Sequence, residues 1–473
     1  MKNRSAAIHT QPDRVLKLLI LIMLIPVLAI AQDQNGDEND NDDESDPFIR
    51  EFVYAPTIDE LLEGEIFDYY DEVRAEQVAR HLTNTGLDLG GGFEAGPYYS
   101  NPLYNQYPNL STLRYNRVNG LFLGIRTERM QWHRHSTFLT IPEIQPHGFL
   151  GYGTASREWE YGFGLERKFG KNEWLMVGAE FYKGTATEDY RRTGLIENTL
   201  TSLFSAYDFH DYFMLEGFGM YAVHRSGRWI EAAFSYNNDE ISSLEQNTGF
   251  SFFGSSGNYR PNPPVDAESD LINLDRYNFS LGINPRRALM FDRFTFSATG
   301  YMELANNART DRDYRYNKYR GEVQFFYNLE PGTVLRWRFS AGSITGNAPD
   351  VKAFYLGGIG TLRGSPFKIF SGNQMLASNL EMKLGTPGTT RGTWLRNYNL
   401  HLLVFLDSGW ITFNEDLVNA DTPFEGFGNF DFDAVQHDAG VGIGTGAFRL
   451  EVAWPLRTFD STPNLWIRFN PTF

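Results

Sequence analysis

The chain has 473 residues, no cysteine and a formal net charge of −17. The charge argues against nucleic acid as a partner, and the missing thiols exclude a disulfide framework or lipid attachment at a mature N-terminal cysteine. A mean hydropathy of −0.40 would suit a water-soluble protein. Yet aromatic residues make up 15% of the chain and glycines number 45, a balance that fits a membrane β-barrel, whose strands hide their apolar side by alternation.

In chain order, Lys2, Arg4, Arg14 and Lys17 accompany the apolar run LLILIMLIPVLAIA. With Ala29-Ile30-Ala31 behind it, this predicts a secretory signal peptide, residues 1 to 31, cut after Ala31. As a membrane anchor the run is shorter than the ~20 residues a spanning helix needs, and Pro26 interrupts it. The acidic stretch DQNGDENDNDDESD follows. It has no glycine where an EF-hand loop needs one, so residues 32 to 46 read as a solvated, disordered leader. Residues 47 to 115 read as a periplasmic or plug-like segment. Within it Thr57 and Glu60 have capping-box spacing behind Pro56 and predict a helix over 57–82.

From residue 116 to 473 the apolar period becomes two. Leu175, Val177, Ala179 and Phe181 share one face, against Met176, Gly178, Glu180 and Tyr182 on the other. Leu335, Trp337 and Phe339 oppose Arg336, Arg338 and Ser340; Phe448, Leu450, Val452 and Trp454 oppose Arg449, Glu451 and Ala453. Short turns are expected at 168–172, 225–227, 328–332 and 444–447, and long connections at 185–210, 239–270, 344–373 and 410–436. Outer-membrane barrels alternate short periplasmic turns with longer external loops. Parity then asks for a strand over 132–140, between 116–127 and 146–154, and gives sixteen strands. In the last, Leu465, Ile467, Phe469, Pro471 and Phe473 alternate with Trp466, Arg468, Asn470 and Thr472. The expected fold is all-β: an antiparallel transmembrane β-barrel of sixteen strands behind a short helical N-terminal segment. Outer-membrane lipid is its surrounding partner.

The run FYLGGIGTLRGSPF, residues 354 to 367, sets glycines around one arginine. A phosphate cradle needs such glycines between a strand and a helix, whereas here an alternating strand follows. A free external loop with an incidental arginine is the alternative. In HLLVFLDSGW, Leu400, Leu402, Val404 and Leu406 face lipid, so His401, Phe405, Asp407 and Gly409 point into the lumen. An inward carboxylate needs a partner. In GVGIGTG, Gly440, Gly442, Gly444 and Gly446 bare one face, leaving either lumen space for something to enter or a bend or bulge.

Leu362-Arg363-Gly364 behind YLGGIGT, then NQMLASNLEMKL, then Phe405-x-Asp407-x-Gly409 and a final aromatic together resemble the barrel of the Omp85 superfamily, also called the bacterial surface antigen family. The resemblance covers residues 318 to 473 and extends back to RYNRVNGLFLG at 114–124. It implies that the loop between the eleventh and twelfth strands folds into the lumen. Arg363 would there meet Asp407 and lie over Phe405, with Glu381 offered as a second acceptor. It further implies that Phe469 and Phe473 belong to the signal read during insertion. The family's aromatic after Arg-Gly is displaced to Phe367 by Ser365 and Pro366. No βααββ pattern of a POTRA domain occurs in 47–115.

The resemblance implies a role in outer-membrane biogenesis or in protein or lipid transport, with protein clients or envelope partners and a lumen gated by the loop 344–373. A passive porin-like channel and an outer-membrane hydrolase using His210 are the rival readings. Asp208-x-His210-Asp211 and His133-x-His135 are short clusters without supporting partners. No enzymatic activity, catalytic residue, metal or cofactor is expected. Arg336 and Arg338 read as balancing Glu322 on the neighbouring strand.

Overall fold

The computed structural model describes residues 113–469, apart from 128–143, 170–174, 190–191, 227–229, 255–258, 285–289, 292, 308–313, 331–332, 385–399, 421, 445–447 and 459–461. The signal peptide, the acidic leader, the helix expected over 57–82, His133, His135 and Phe473 lie outside the described residues.

Sixteen strands follow one another as an antiparallel meander, each paired with its neighbours in the chain. They are β1 (Leu113–Asn116), β2 (Gly120–Thr127), β3 (Ile144–Gly153), β4 (Trp159–Phe169), β5 (Leu175–Ala186), β6 (Phe213–Ser226), β7 (Ile230–Ser243) and β8 (Leu271–Ile283). The second half comprises β9 (Phe294–Asn307), β10 (Arg315–Glu330), β11 (Thr333–Asn347), β12 (Gln374–Leu384), β13 (His401–Thr412), β14 (Gln436–Gly444), β15 (Phe448–Pro455) and β16 (Asn464–Phe469). A two-residue piece, Met290–Phe291, pairs beside β9. One α-helix, α1 (Leu195–Ser205), interrupts the connection between β5 and β6.

The sheet is apolar outside and polar inside. Ile125 is 72% exposed, and Phe163, Leu165, Phe181, Leu402, Val404 and Leu406 also stand outward, while Arg114, Glu381, Asp407, Glu451 and Arg468 are buried. A water-soluble sandwich would show the reverse; a barrel facing lipid needs this arrangement. The long connections at β5–β6, β7–β8, β11–β12 and β13–β14 share one end of the sheet, together with the short ones at 117–119 and 154–158, and the expected short turns at β4–β5, β6–β7, β10–β11 and β14–β15 share the other. The short-turn end also carries two longer connections, 128–143 and 385–400. The inner space between the walls is filled by loop and strand side chains, among them Tyr182, Ile241, Ile272, Tyr316, Phe354 and Leu356.

Two expectations fail on register. β2 pairs directly with β3, from Phe122↔Gly153 to Thr127↔Gly148, which leaves no place in that ladder for the strand expected over 132–140, residues that lie outside the described ones. Sixteen strands result all the same, because β1 (Leu113–Asn116) precedes β2, which is the strand expected over 116–127. The Asn116 side chain accepts the backbone N–H groups of Val118 and Asn119 at 3.0 and 2.7 Å, an Asx-type turn that reverses the chain. The glycines of β14 make neither a bulge nor an open lane. Both ladders of that strand run without a shift. A Cβ on Gly440 would strike the Phe405 ring, and one on Gly444 would lie 2.6 Å from Arg449 Cγ. Side chains from the neighbouring strands occupy the bare face.

Candidate functional site

The connection between β11 and β12 leaves the wall as a small hairpin, Phe354–Leu356 paired with Phe370–Gly372. Gly357, Gly358 and Gly360 have φ of +111, +77 and +79°, a region closed to most L-residues. They turn the chain so that Arg363 sits at the tip. Gly364 presses on β15, where a Cβ would be 2.6 Å from Pro455 N. Leu362 is buried, and Gly409 on β13 leaves room for Leu356 and Leu362.

Arg363 is 2% exposed and meets three carboxylates. Its Nε and Nη2 donate to the two oxygens of Asp407 at 2.7 and 2.8 Å. Nη1 donates to Glu381 at 2.6 Å and lies 3.4 Å from Glu451. The guanidinium carbon is 3.5 Å from the centroid of the Phe405 ring. A planar fork can pair with a carboxylate and lie flat on an aromatic ring at once; an ammonium cannot. Burial by itself would discourage the charge, but Asp407 and Glu381 outweigh it and raise the guanidinium pKa, so Arg363 stays protonated.

The loop backbone is held as well. Trp466 Nε1 donates to the Arg363 carbonyl at 2.8 Å, and Asn464 donates to that of Gly364 at 2.9 Å. Ser365, which stands where the resemblance calls for an aromatic, gives its N–H to Asp438 on β14 at 2.8 Å. Phe367 instead packs on Phe209, ring centroids 5.8 Å apart. Arg338 donates to the Gly360 carbonyl and to Asn379, so it anchors the loop besides facing its strand neighbours. Asn379 in turn donates to Asp407 and to the Thr361 carbonyl, both at 2.7 Å.

A second set of contacts has no compact motif in the sequence. The β5–β6 connection clamps the far side of the loop: Lys368 Nζ lies 2.6 Å from both Asp189 and Asp211, and Lys352 Nζ lies 2.6 Å from Glu188. A cavity of about 410 Å³ remains beside them, lined by Arg192, Lys318, Arg338, Lys368, Asp189 and Asp211 among others. Their only sequence signal is being charged residues within loops or on inward strand positions, and the clamp pairs Lys368–Asp189, Lys368–Asp211 and Lys352–Glu188 join residues 179, 157 and 164 positions apart.

The His210 cluster is part of this packing. His210 is buried, with Nε2 2.9 Å from Thr193 Oγ1. Burial pushes its imidazole below the ordinary value, against the opposing pull of Asp189 and Asp208. Asp208 accepts from Arg117 N–H, Asn198 and the Tyr212 hydroxyl, while Asp211 pairs with Arg117, Arg260 and Lys368. The three side chains serve separate contacts and do not converge on an open surface.

Residues 225–470, just over half of the chain, match the Omp85 superfamily domain. The chain belongs to the Omp85 superfamily. It is an Omp85-type outer-membrane β-barrel, and Arg363 together with the four side chains Glu381, Phe405, Asp407 and Glu451 lies inside the matched stretch. Helix α1, Arg114 and Arg117 lie ahead of it. Among solved structures it is similar to BamA from Haemophilus ducreyi lacking POTRA domains 1–3, at 13% identity over 76% of this chain and 68% of that one, with a TM-score of 0.46. It is similar also to CdiB from Escherichia coli (12% identity, 69% of this chain, 55% of that chain, TM-score 0.38) and to CdiB from Acinetobacter baumannii (11%, 73%, 55%, 0.39). No curated protein matches the sequence.

Proposed function

We propose that this Omp85 barrel acts in outer-membrane biogenesis or in the transport of protein or lipid, with the loop 344–373 as a gate in its lumen and protein clients or envelope components as partners. The observation that carries this reading is the mounting of Arg363 on a loop tip against three buried wall carboxylates. A gate has to be closed at rest and releasable. An ion-paired tip meets both needs, since water or a client's charges can replace its partners in a wet lumen without exposing an apolar core. Removing one partner of a buried pair costs about 3–5 kcal/mol in dry surroundings and less in a hydrated lumen.

Locking the loop tests the role. Ser365 Oγ and Asp438 Oδ1 are 3.2 Å apart, and the chain has no cysteine of its own, so Ser365→Cys with Asp438→Cys places a single oxidisable pair across the gate. In cells lacking the parent protein, the oxidised variant should fail to restore outer-membrane composition and recover when reduced. Equal restoration by the locked and reduced forms would contradict a moving gate.

A further inference from the structure

The outer face of β13 changes character along its length. Leu402, Val404 and Leu406 stand outward in the apolar row. Ser408 follows, its hydroxyl 2.8 Å from His437 Nδ1 on β14, and this polar contact is exposed. Polar groups at that height mark the end of the hydrocarbon layer, where they would be costly. Trp410 is the next outward residue, yet it is only 4% exposed. The connection between β13 and β14 covers it.

That connection is firmly built. Phe427 and Phe430 pack on the Trp410 ring, centroids 6.2 and 5.4 Å away, and Phe432 meets Phe430 edge-on at 4.7 Å. Three short 3-10 turns, Glu415–Asn419, Glu425–Asn429 and Phe432–Ala434, carry the chain, and the side chains of Asn414 and Asp431 cap two of them. Asn373 and Asn414 exchange two hydrogen bonds of 2.8 Å, which fix the foot of the connection beside β12. Leu417 is fully buried, but Phe413, Phe424 and Phe432 are 66, 76 and 81% exposed. Six carboxylates lie among them in 413–435, with no lysine, arginine or histidine. Among the described residues, Glu415, Asp416, Glu425, Asp431 and Asp433 are exposed and make no ion pair.

We infer that this connection is an external docking surface for a basic segment of another protein, whose apolar side chains receive Phe424 and Phe432. Exposed aromatic rings on a fixed backbone are the usual anchors of a protein interface, and an apolar patch rimmed by polar groups marks such a site. The carboxylates choose the partner. They attract lysine and arginine, and they repel both lipid phosphates and a second copy of a chain that carries −17. None of these side chains is among the carboxylate partners of Arg363, so the surface is separate from the gate.

The full chain in phosphatidylcholine nanodiscs should bind a short peptide alternating lysine with phenylalanine, read by the anisotropy of a dye on the peptide. A peptide alternating glutamate with phenylalanine should bind far less. Phe424→Ser with Phe432→Ser should weaken the first peptide about tenfold or more, in barrels that keep heat-modifiable gel mobility. Glu425→Gln with Asp431→Asn and Asp433→Asn should do the same, and added salt should weaken the parent but barely move this variant. No saturable binding, equal binding of the two peptides, or unchanged binding in either variant would overturn the inference. So would a parent that sediments as a dimer only while Phe424 and Phe432 are present, which would assign the surface to a second copy. Magnesium-dependent capture of lipopolysaccharide vesicles that these variants lose would assign it to lipid and overturn the inference equally.

Discussion

Two arginines at opposite ends of the sheet rest on phenylalanine rings in the same way. Arg363 lies 3.5 Å from the centroid of Phe405, and Arg114 lies 3.5 Å from that of Phe122. In each place a glycine on the next strand, Gly440 or Gly151, leaves the space into which the ring lies down. Each guanidinium is buried and meets carboxylate: Asp407, Glu381 and Glu451 around Arg363, and Glu160 at 2.5 Å from Arg114. The difference is the mounting. Arg114 belongs to β1 itself, so its pair with Glu160 braces β1 against β4, across the two wall strands between them. Arg363 stands on the tip of a loop, so under the proposed function its pair would fasten a part that can leave. One chemical device is then a brace in the first setting and, under the proposed gating, a catch in the second, with backbone attachment deciding which.

The largest effect should come from breaking the brace. Arg114→Ala leaves Glu160 without its guanidinium, its remaining donors being Asn119 and Thr185, a loss of about 3–5 kcal/mol where the site is dry. The temperature at which the folded gel band converts to the unfolded one should fall well below the parent's, with conductance of surviving barrels unchanged. A raised conductance at normal stability would erase the distinction between brace and catch. A smaller effect is expected from Gly440→Ala, where a Cβ would meet the Phe405 ring. Tilting that ring should cost about 1–3 kcal/mol by overpacking and loosen Arg363, so protease cutting within 344–373 should speed up. Gly151→Ala should lower thermal stability without that new cleavage.

The smallest effect concerns the clamp between the loops. His210 is held neutral in the folded protein, its pKa depressed by burial, while in the unfolded chain it takes a proton near pH 6.5. The unfolded state therefore binds more protons below that pH, so this contribution to stability is present above about pH 6.5 and declines as pH falls. Urea midpoints for the parent and His210→Gln should draw together between pH 7.5 and pH 5. A constant gap would mean that His210 binds its proton alike in the folded and unfolded states, with no depressed pKa.

The wall and the catch were legible in the sequence for local reasons. Period-two alternation in HLLVFLDSGW separates lipid-facing Leu402, Val404 and Leu406 from inward Phe405 and Asp407, and Leu-Arg-Gly and Phe-x-Asp-x-Gly are short contiguous motifs. The brace and α1 carry no such mark. The buried side of α1 is polar and its N-cap is Gly194, which makes no side-chain cap, so neither an apolar stripe nor a capping residue announces it. The strand expected over 132–140 came from parity alone. The strand that satisfies that parity is β1, just ahead of the expected start of the wall, and it is joined to β2 by a turn made by one asparagine, Asn116. Glu451 and Trp466 are legible as inward, but their partnership with Arg363, 88 and 103 residues earlier, depends on how the sheet curves.

The account turns on whether Arg363 and Asp407 act as one catch. Single-channel recordings in planar bilayers of the parent, Arg363→Ala, Asp407→Ala and the double variant measure this most directly. The parent should be mostly closed and each single change should raise the open fraction. The double change should do little more than the larger single one, because the second substitution removes a contact already lost. A parent with large steady conductance, and two small effects that add, would make the loop a free external one and contradict the catch.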